Sequence, residues 1–189
     1  MQLRDAVEML RASRLDALGP TTWADLGCGD GTFARALAEL VAPGSVIHAM
    51  DVDRVALRSL PARHGQARIE THVGDFTKPP WPFANLDGVL MANSLHYVHH
   101  REQASFITDC RARMVPPHRF LLVEYDSDVP NPYVPYPVSL QRVRQLFEVD
   151  VSGGSSLTLL GRRPSRYQRA ALYAVLITIG ASSRTARDA

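Results

Sequence analysis

Lysine is almost missing from this chain: of its 21 basic residues only Lys78 is a lysine. Set against 19 acidic residues, the rest leave a formal net charge of +2. That is far short of the dense positive surface that sequence-independent nucleic-acid binding needs, so nucleic acid is not an expected partner. The lysine shortage itself reads as a compositional bias of the source. Cysteine is scarce as well. Cys28 and Cys110 are the two present, without the spacing of a disulfide framework or a zinc site, so both are expected to be reduced and no metal is expected. Long apolar runs are absent. Nothing approaches the roughly 18 to 20 apolar residues of a spanning helix, and the N-terminal MQLRDAVEML is charged and amphipathic where a signal peptide is apolar. These absences predict a cytoplasmic protein with no membrane partner.

What is present is enough apolar material, 46% of 189 residues, to build one core. A single domain is expected over residues 1–180, followed by a small, polar and disordered tail at 181–189. Apolar residues recur with helical spacing over 3–18 and again from Phe33 to Val41, with a short strand over 22–26 between them. The rhythm repeats: strand 46–50, short helix 52–60, strand 69–73, strand 87–92, helix 101–114 and strand 120–125. Strands alternating with helices predict an α/β fold with a parallel sheet covered on both faces. A proline-rich loop then fills 125–137, a helix follows over 138–147, and strands at 156–160 and 171–178 stand too close in sequence for a helical crossover. They are expected to pair antiparallel, which brings the total to seven strands.

The strongest chemical signal is Asp25-Leu26-Gly27-Cys28-Gly29-Asp30-Gly31, placed between a strand and a helix. Glycines there let the backbone turn sharply and approach a ligand, and the helix start offers free N–H groups. Asp51 ends the second strand, where a carboxylate can accept hydrogen bonds from both hydroxyls of a ribose. Asp75 ends the third, within reach of an adenine amine. Either acid alone would serve equally well as a helix cap. Three such features at the carboxyl ends of three consecutive strands fit a ligand site better, because open α/β sheets bind at that edge.

Together with Gly74-Asp75-Phe76 and Asp87-Gly88-Val89-Leu90-Met91-Ala92-Asn93, these residues resemble the successive motifs of class I S-adenosylmethionine-dependent methyltransferases. The resemblance spans roughly 20–125. It implies a Rossmann-like three-layer sandwich whose mostly parallel seven-stranded sheet ends in an antiparallel pair. It also implies S-adenosyl-L-methionine as cofactor, with Asp25, Gly27, Cys28 and Gly29 around its methionine part, Asp51 and Val52 at the ribose, Asp75 and Phe76 at the adenine, and Asn93 beside the sulfonium. A dinucleotide-binding dehydrogenase fits less well: its G-x-G-x-x-G fingerprint needs glycine where Thr32 stands, and Asp25 and Asp30 would repel a pyrophosphate. The family's usual proline and glycine before the fifth strand are replaced here by Val115-Pro116-Pro117-His118-Arg119. No Asn/Asp-Pro-Pro-Tyr/Phe follows the fourth strand, which argues against amino-group methylation of nucleobases or glutamine.

His96, His99 and His100 read first as partly exposed histidines of a loop and helix start rather than metal ligands; of the three, His96, three residues after Asn93, is the candidate general base facing the transferred methyl, or a residue that only shapes the pocket. Tyr125, Tyr133 and Tyr136 fit the wall of an acceptor pocket and fit packing positions equally. Arg162, Arg163, Arg166 and Arg169 are expected in a solvated hairpin connection, the alternative being contact with a phosphate or carboxylate of the acceptor. The expected activity is methyl transfer to an oxygen or nitrogen of a small molecule. The alternatives are an RNA-modifying enzyme on the same fold and a cofactor-binding protein without turnover.

Overall fold

The computed structural model describes residues 1–149, 154–165 and 170–180. The chain opens with α1 (Leu3–Leu10), followed by β1 (Thr22–Leu26), α2 (Thr32–Leu40), β2 (Val46–Asp51) and the single turn α3 (Arg54–Leu57). Next come β3 (Arg63–His64), β4 (Ala67–Val73), β5 (Leu86–Ala92), α4 (Gln103–Arg111) and β6 (Met114–Tyr125), then α5 (Leu140–Leu146), β7 (Ser155–Pro164) and β8 (Ala171–Ile179). The strands form one sheet in the order β3-β4-β2-β1-β5-β6-β8-β7. The five from β4 to β6 in that order run parallel, while β3 at one edge and the β8–β7 pair at the other run antiparallel. Among the described residues no helix is long and apolar enough to cross a membrane.

Because side chains alternate across a strand, each interior strand feeds two cores. Leu90, Leu121 and Val123 turn to the face covered by α1 and α2, where they meet Leu10, Phe33 and Leu37. Val89, Met91, Phe120 and Leu122 turn to the other face, against Phe106 and Ile107 of α4 and Val143 of α5. Trp23 is fully buried, and its ring fills the space beside Gly88, where any Cβ would lie 2.3 Å from it. Truncating such a side chain costs about 3–5 kcal/mol.

The crossover from β4 to β5, residues 74–85, contains no helix. Pro79, Pro80 and Pro82 deny it one, and it covers the sheet with Phe76, Trp81 and Phe83 instead. Trp81 is anchored there by donating its indole N–H to the Phe76 carbonyl at 2.9 Å.

The expected order of elements holds, with four local differences. The helix expected over 3–18 stops at Leu10 and continues as two short 3-10 turns, because Arg14 between them takes a left-handed backbone at φ 50°. An eighth strand, β3, forms through the tight turn at Gly65, too short to show any period in sequence. The fifth strand of the parallel set begins at Met114, before Pro116-Pro117. Its pairing jumps from Leu86–Met114 to Gly88–Arg119, so the prolines sit in an irregularity where no ladder hydrogen bond is required of them. Lastly, β7 runs on to Pro164, which places Arg162 and Arg163 inside a strand rather than in a connection. Arg166, Arg169 and the tail at 181–189 lie outside the described residues.

Candidate active site

The turn after β1 is built on backbone contacts. Gly27 and Cys28 both donate their N–H to the Met50 carbonyl at 2.8 and 3.1 Å. Gly27 has φ 75°, and a Cβ on it would come within 2.6 Å of Ser94, so this position requires glycine on two counts. The Gly29 N–H donates to Asp51 Oδ2 at 2.7 Å, and Asp51 Oδ1 accepts from the Asp53 N–H at 2.8 Å. The capping ambiguity of the sequence is thereby resolved: Asp53 caps α3, accepting from Val55 and Ala56, while Asp51 braces the glycine turn. Asp30 is engaged locally too, accepting the N–H and hydroxyl of Thr32 at the start of α2.

Asp25, Gly27, Cys28, Gly29, Asp51, Val52, Asp75, Phe76 and Asn93 all line one cavity of about 740 Å³. Asp25 is fully buried, and neither of its carboxylate oxygens has a hydrogen-bond partner among the described residues. Burial, and then the neighbouring Asp51 charge, push its pKa up to about 8, against a lesser opposing pull from the Ala34 N–H. Asn93 Oδ1 is a second unpartnered buried acceptor on the same wall, held by a left-handed backbone at φ 55°. Two orphaned acceptors in a cavity fit a ligand that brings donors and positive charge. Asp75 differs from both. The Thr77 hydroxyl at 2.6 Å holds its carboxyl below the usual carboxylate range, and Lys78 at 2.9 Å adds to this against the effect of burial. The Cys28 thiol is pushed up by burial and by the charges of Asp25 and Asp51, so it stays protonated.

A second cavity, of about 1000 Å³, adjoins the first at Asn93 and Tyr97, which line both. His96, Tyr125 and Tyr133 line it with Pro130, Pro132 and Val134, and among the described residues its wall holds no arginine, lysine, aspartate or glutamate. His96 is 2% exposed, and its Nδ1 lies 2.6 Å from Oε2 of Glu124, a wholly buried residue of β6. The other oxygen of Glu124 accepts the His96 backbone N–H at 3.3 Å. Sequence reasoning missed Glu124, Tyr97 and Ser94. The signal for Glu124 lay in the adjacency of β5 and β6, which brings the end of one beside the turn that follows the other.

The other expected neighbours disperse. His100 bonds the Pro137 carbonyl at 2.9 Å and His99 accepts from Arg101, so the three histidines do not converge. Tyr136 packs on His99 and does not line the second cavity; its backbone N–H donates to the His96 carbonyl. Arg162 pairs with Asp126, and Arg163 pairs with Asp5 at 2.8 Å. As neighbours in a strand they leave on opposite sides, so they form no common basic patch.

A family model described as "Methyltransferase domain" matches residues 24–117. No curated protein sequence matches the chain. Among solved structures, magnesium protoporphyrin IX methyltransferase from Synechocystis PCC 6803 with bound SAM superposes with a TM-score of 0.65 at 16% identity, over 94% of this chain and 77% of that one. The 1,6-didemethyltoxoflavin-N1-methyltransferase of Burkholderia thailandensis, with its acceptor and S-adenosylhomocysteine bound, gives 0.65 at 19% identity over 94% and 77%. The N-terminal domain of EvdMO1 with SAH bound gives 0.65 at 18% identity over 94% and 82%. With the strand order, the glycine turn and the cavity at the carboxyl edge of the sheet, these findings place the chain in the class I S-adenosylmethionine-dependent methyltransferases.

Proposed function

We propose that this protein methylates an oxygen or nitrogen of a small, uncharged acceptor held in the cavity of about 1000 Å³, with His96 as the general base for a hydroxyl acceptor. The observation that carries this reading is the buried His96–Glu124 pair at 2.6 Å on the wall of a cavity that meets the cofactor cavity at Asn93. S-adenosylmethionine, when bound, supplies a methyl already activated by its sulfonium. Asp25 and the Asn93 carbonyl take the ammonium and the methionine end, Asp51 and the neighbouring Val52 take the ribose, and Asp75 with Phe76 takes the adenine. On the acceptor side, Glu124 takes the Nδ1–H of His96 and so directs the lone pair of Nε2 toward the cavity, where it accepts the hydroxyl proton as the oxygen attacks. Tyr125, Tyr133 and the prolines of the loop exclude water and hold the acceptor in line.

Support against an RNA acceptor comes from the same wall, which among the described residues offers no cation for a phosphate, and from Arg162 and Arg163, both engaged with acids. The test is turnover of methyl-labelled S-adenosylmethionine against fractionated pools of metabolites, RNA and protein. Label is expected in the metabolite fraction, in a molecule that carries a hydroxyl or amine on an otherwise apolar frame. Label confined to RNA would overturn the proposal.

A further inference from the structure

We infer that His48, Glu70 and His72 form a binding site for one divalent transition-metal cation, best suited to zinc. The three sit side by side because of strand register. His48 on β2 is paired with Glu70 on β4, and Met50 with His72, so Glu70 and His72, two apart, reach the same sheet face as His48. His48 Nδ1 is 3.1 Å from His72 Nε2 and 3.3 Å from Glu70 Oε2, and all three donor atoms lie within 4.8 Å of one another. Tetrahedral zinc holds nitrogen and oxygen ligands at about 2.0–2.1 Å, which sets neighbouring donors about 3.4 Å apart. Two of the three separations therefore already match the edges of such a tetrahedron.

Hydrogen bonding alone serves this cluster poorly. Three lone pairs converge on a space where neutral imidazoles offer a single proton, borne by one of two facing nitrogens, whereas a cation satisfies all three at once. The surroundings favour that outcome. The Arg68 guanidinium grips Glu70 Oε1 at 2.8 Å, which leaves Oε2 as the single-atom ligand and fixes its direction. Phe83 stacks on the His48 ring at 5.0 Å and meets the edge of His72 at 5.2 Å, closing one side. The other side is reachable, with Glu70 36% exposed, so a water can complete the fourth position.

Such an ion joins β2 to β4 three residues before Asp51 and Asp75, and so it staples together the two strands that present the ribose and adenine acids. The site is independent of the acceptor reading. It is tested on the full, tag-free chain after metal stripping, by calorimetric titration with Zn²⁺ and by the visible absorption of Co²⁺. One Zn²⁺ per chain is expected, with an intense tetrahedral-type Co²⁺ spectrum and a higher melting temperature in Zn²⁺. His48→Ala and His72→Ala are each expected to weaken Zn²⁺ binding by about 100-fold, and Glu70→Gln, at the most exposed ligand, by about 10-fold with the fold intact. His64→Ala serves as control, because His64 pairs with Glu39, away from the cluster, and should leave the titration unchanged. Binding no tighter than that of folded Glu70→Gln and His72→Ala variants, or a weak octahedral Co²⁺ spectrum, would overturn the assignment.

Discussion

The two adjoining cavities are made of different material. The first is formed by strand ends and a glycine turn whose main chain is tied to β2, so its acids stand where the sheet puts them. The second is formed mostly by side chains of the loop after β6, with Asn93, His96 and Tyr97 coming from just past the end of β5 and the turn beyond it. The first therefore specifies one ligand by fixed charge, and changes there disturb the backbone. The second specifies by shape, and its loop can vary without touching the sheet. His96 and Glu124 are the exception on the acceptor side, being as deeply buried as Asp25 is on the cofactor side.

The sharpest way to separate the two is to disable the acceptor side alone. His96→Ala is expected to lower turnover by about 10²- to 10⁴-fold while leaving the affinity for S-adenosylhomocysteine nearly unchanged. Glu124→Gln, which keeps the shape but offers an amide to Nδ1, should move the rate the same way. Single-turnover kinetics beside calorimetry would show it, and near wild-type turnover in both variants would leave the pair a structural one.

Asp51→Ala should do the reverse, weakening cofactor binding by about 1.5–3 kcal/mol, the range for hydrogen bonds to a charged group. This corresponds to about 10- to 150-fold in Kd. Because Asp51 also accepts from Gly29 and Asp53, some loss of melting temperature should accompany it. An unchanged Kd in a folded variant would remove Asp51 from the site.

The charge of Asp25 offers a subtler contrast. Its folded pKa of about 8 lies above the ordinary 3.8, so between those values the folded, unliganded chain binds more protons than the unfolded one. The contribution of Asp25 to stability therefore falls as pH rises through that window. A bound ammonium favours the ionised carboxyl, so below pH 8 cofactor binding should release up to one proton, and affinity should climb with pH by up to about tenfold per unit before levelling off. Titrations in buffers of different ionisation heat would measure the release, and Asp25→Asn should abolish it. Release that persists in that variant would point to another group.

The smallest effect is expected from the arginines. Neutralising Arg162 and Arg163 removes two partly exposed ion pairs, each contributing about 0–1 kcal/mol. Turnover and acceptor KM should hold steady across salt concentrations, as measured by initial rates. A steep salt dependence lost in the double variant would revive a phosphate-bearing acceptor.

The cofactor side was legible in the sequence because its residues lie at the ends of consecutive elements: once strands 22–26, 46–50 and 69–73 are seen, Asp25, Asp51 and Asp75 must share an edge. The acceptor side was not. Glu124 stands 28 residues from His96 and meets it only through the pairing of β5 with β6, and nothing local in Leu121-Leu122-Val123-Glu124 marks the acid as buried. Tyr136 fits a pocket wall by proximity in sequence, whereas it packs on His99. Arg162 and Arg163 stand beyond the strand expected over 156–160, yet the register shifts between Leu159 and Gly161 and β7 continues through them. The His48, Glu70 and His72 grouping needed the register of two strands, which no single-strand pattern conveys.

The way Trp81 is tied down makes the chain its own sensor. It and Trp23 are the two tryptophans; Trp23 is sealed in the core on the α1 and α2 side, while Trp81 hangs by its indole N–H from Phe76, a wall residue of the cofactor cavity. Ligand entry against Phe76 will therefore alter the emission of one tryptophan over a constant background from the other. Binding can be followed by intrinsic fluorescence, without a label, and Trp81→Phe should silence the signal while leaving the protein folded.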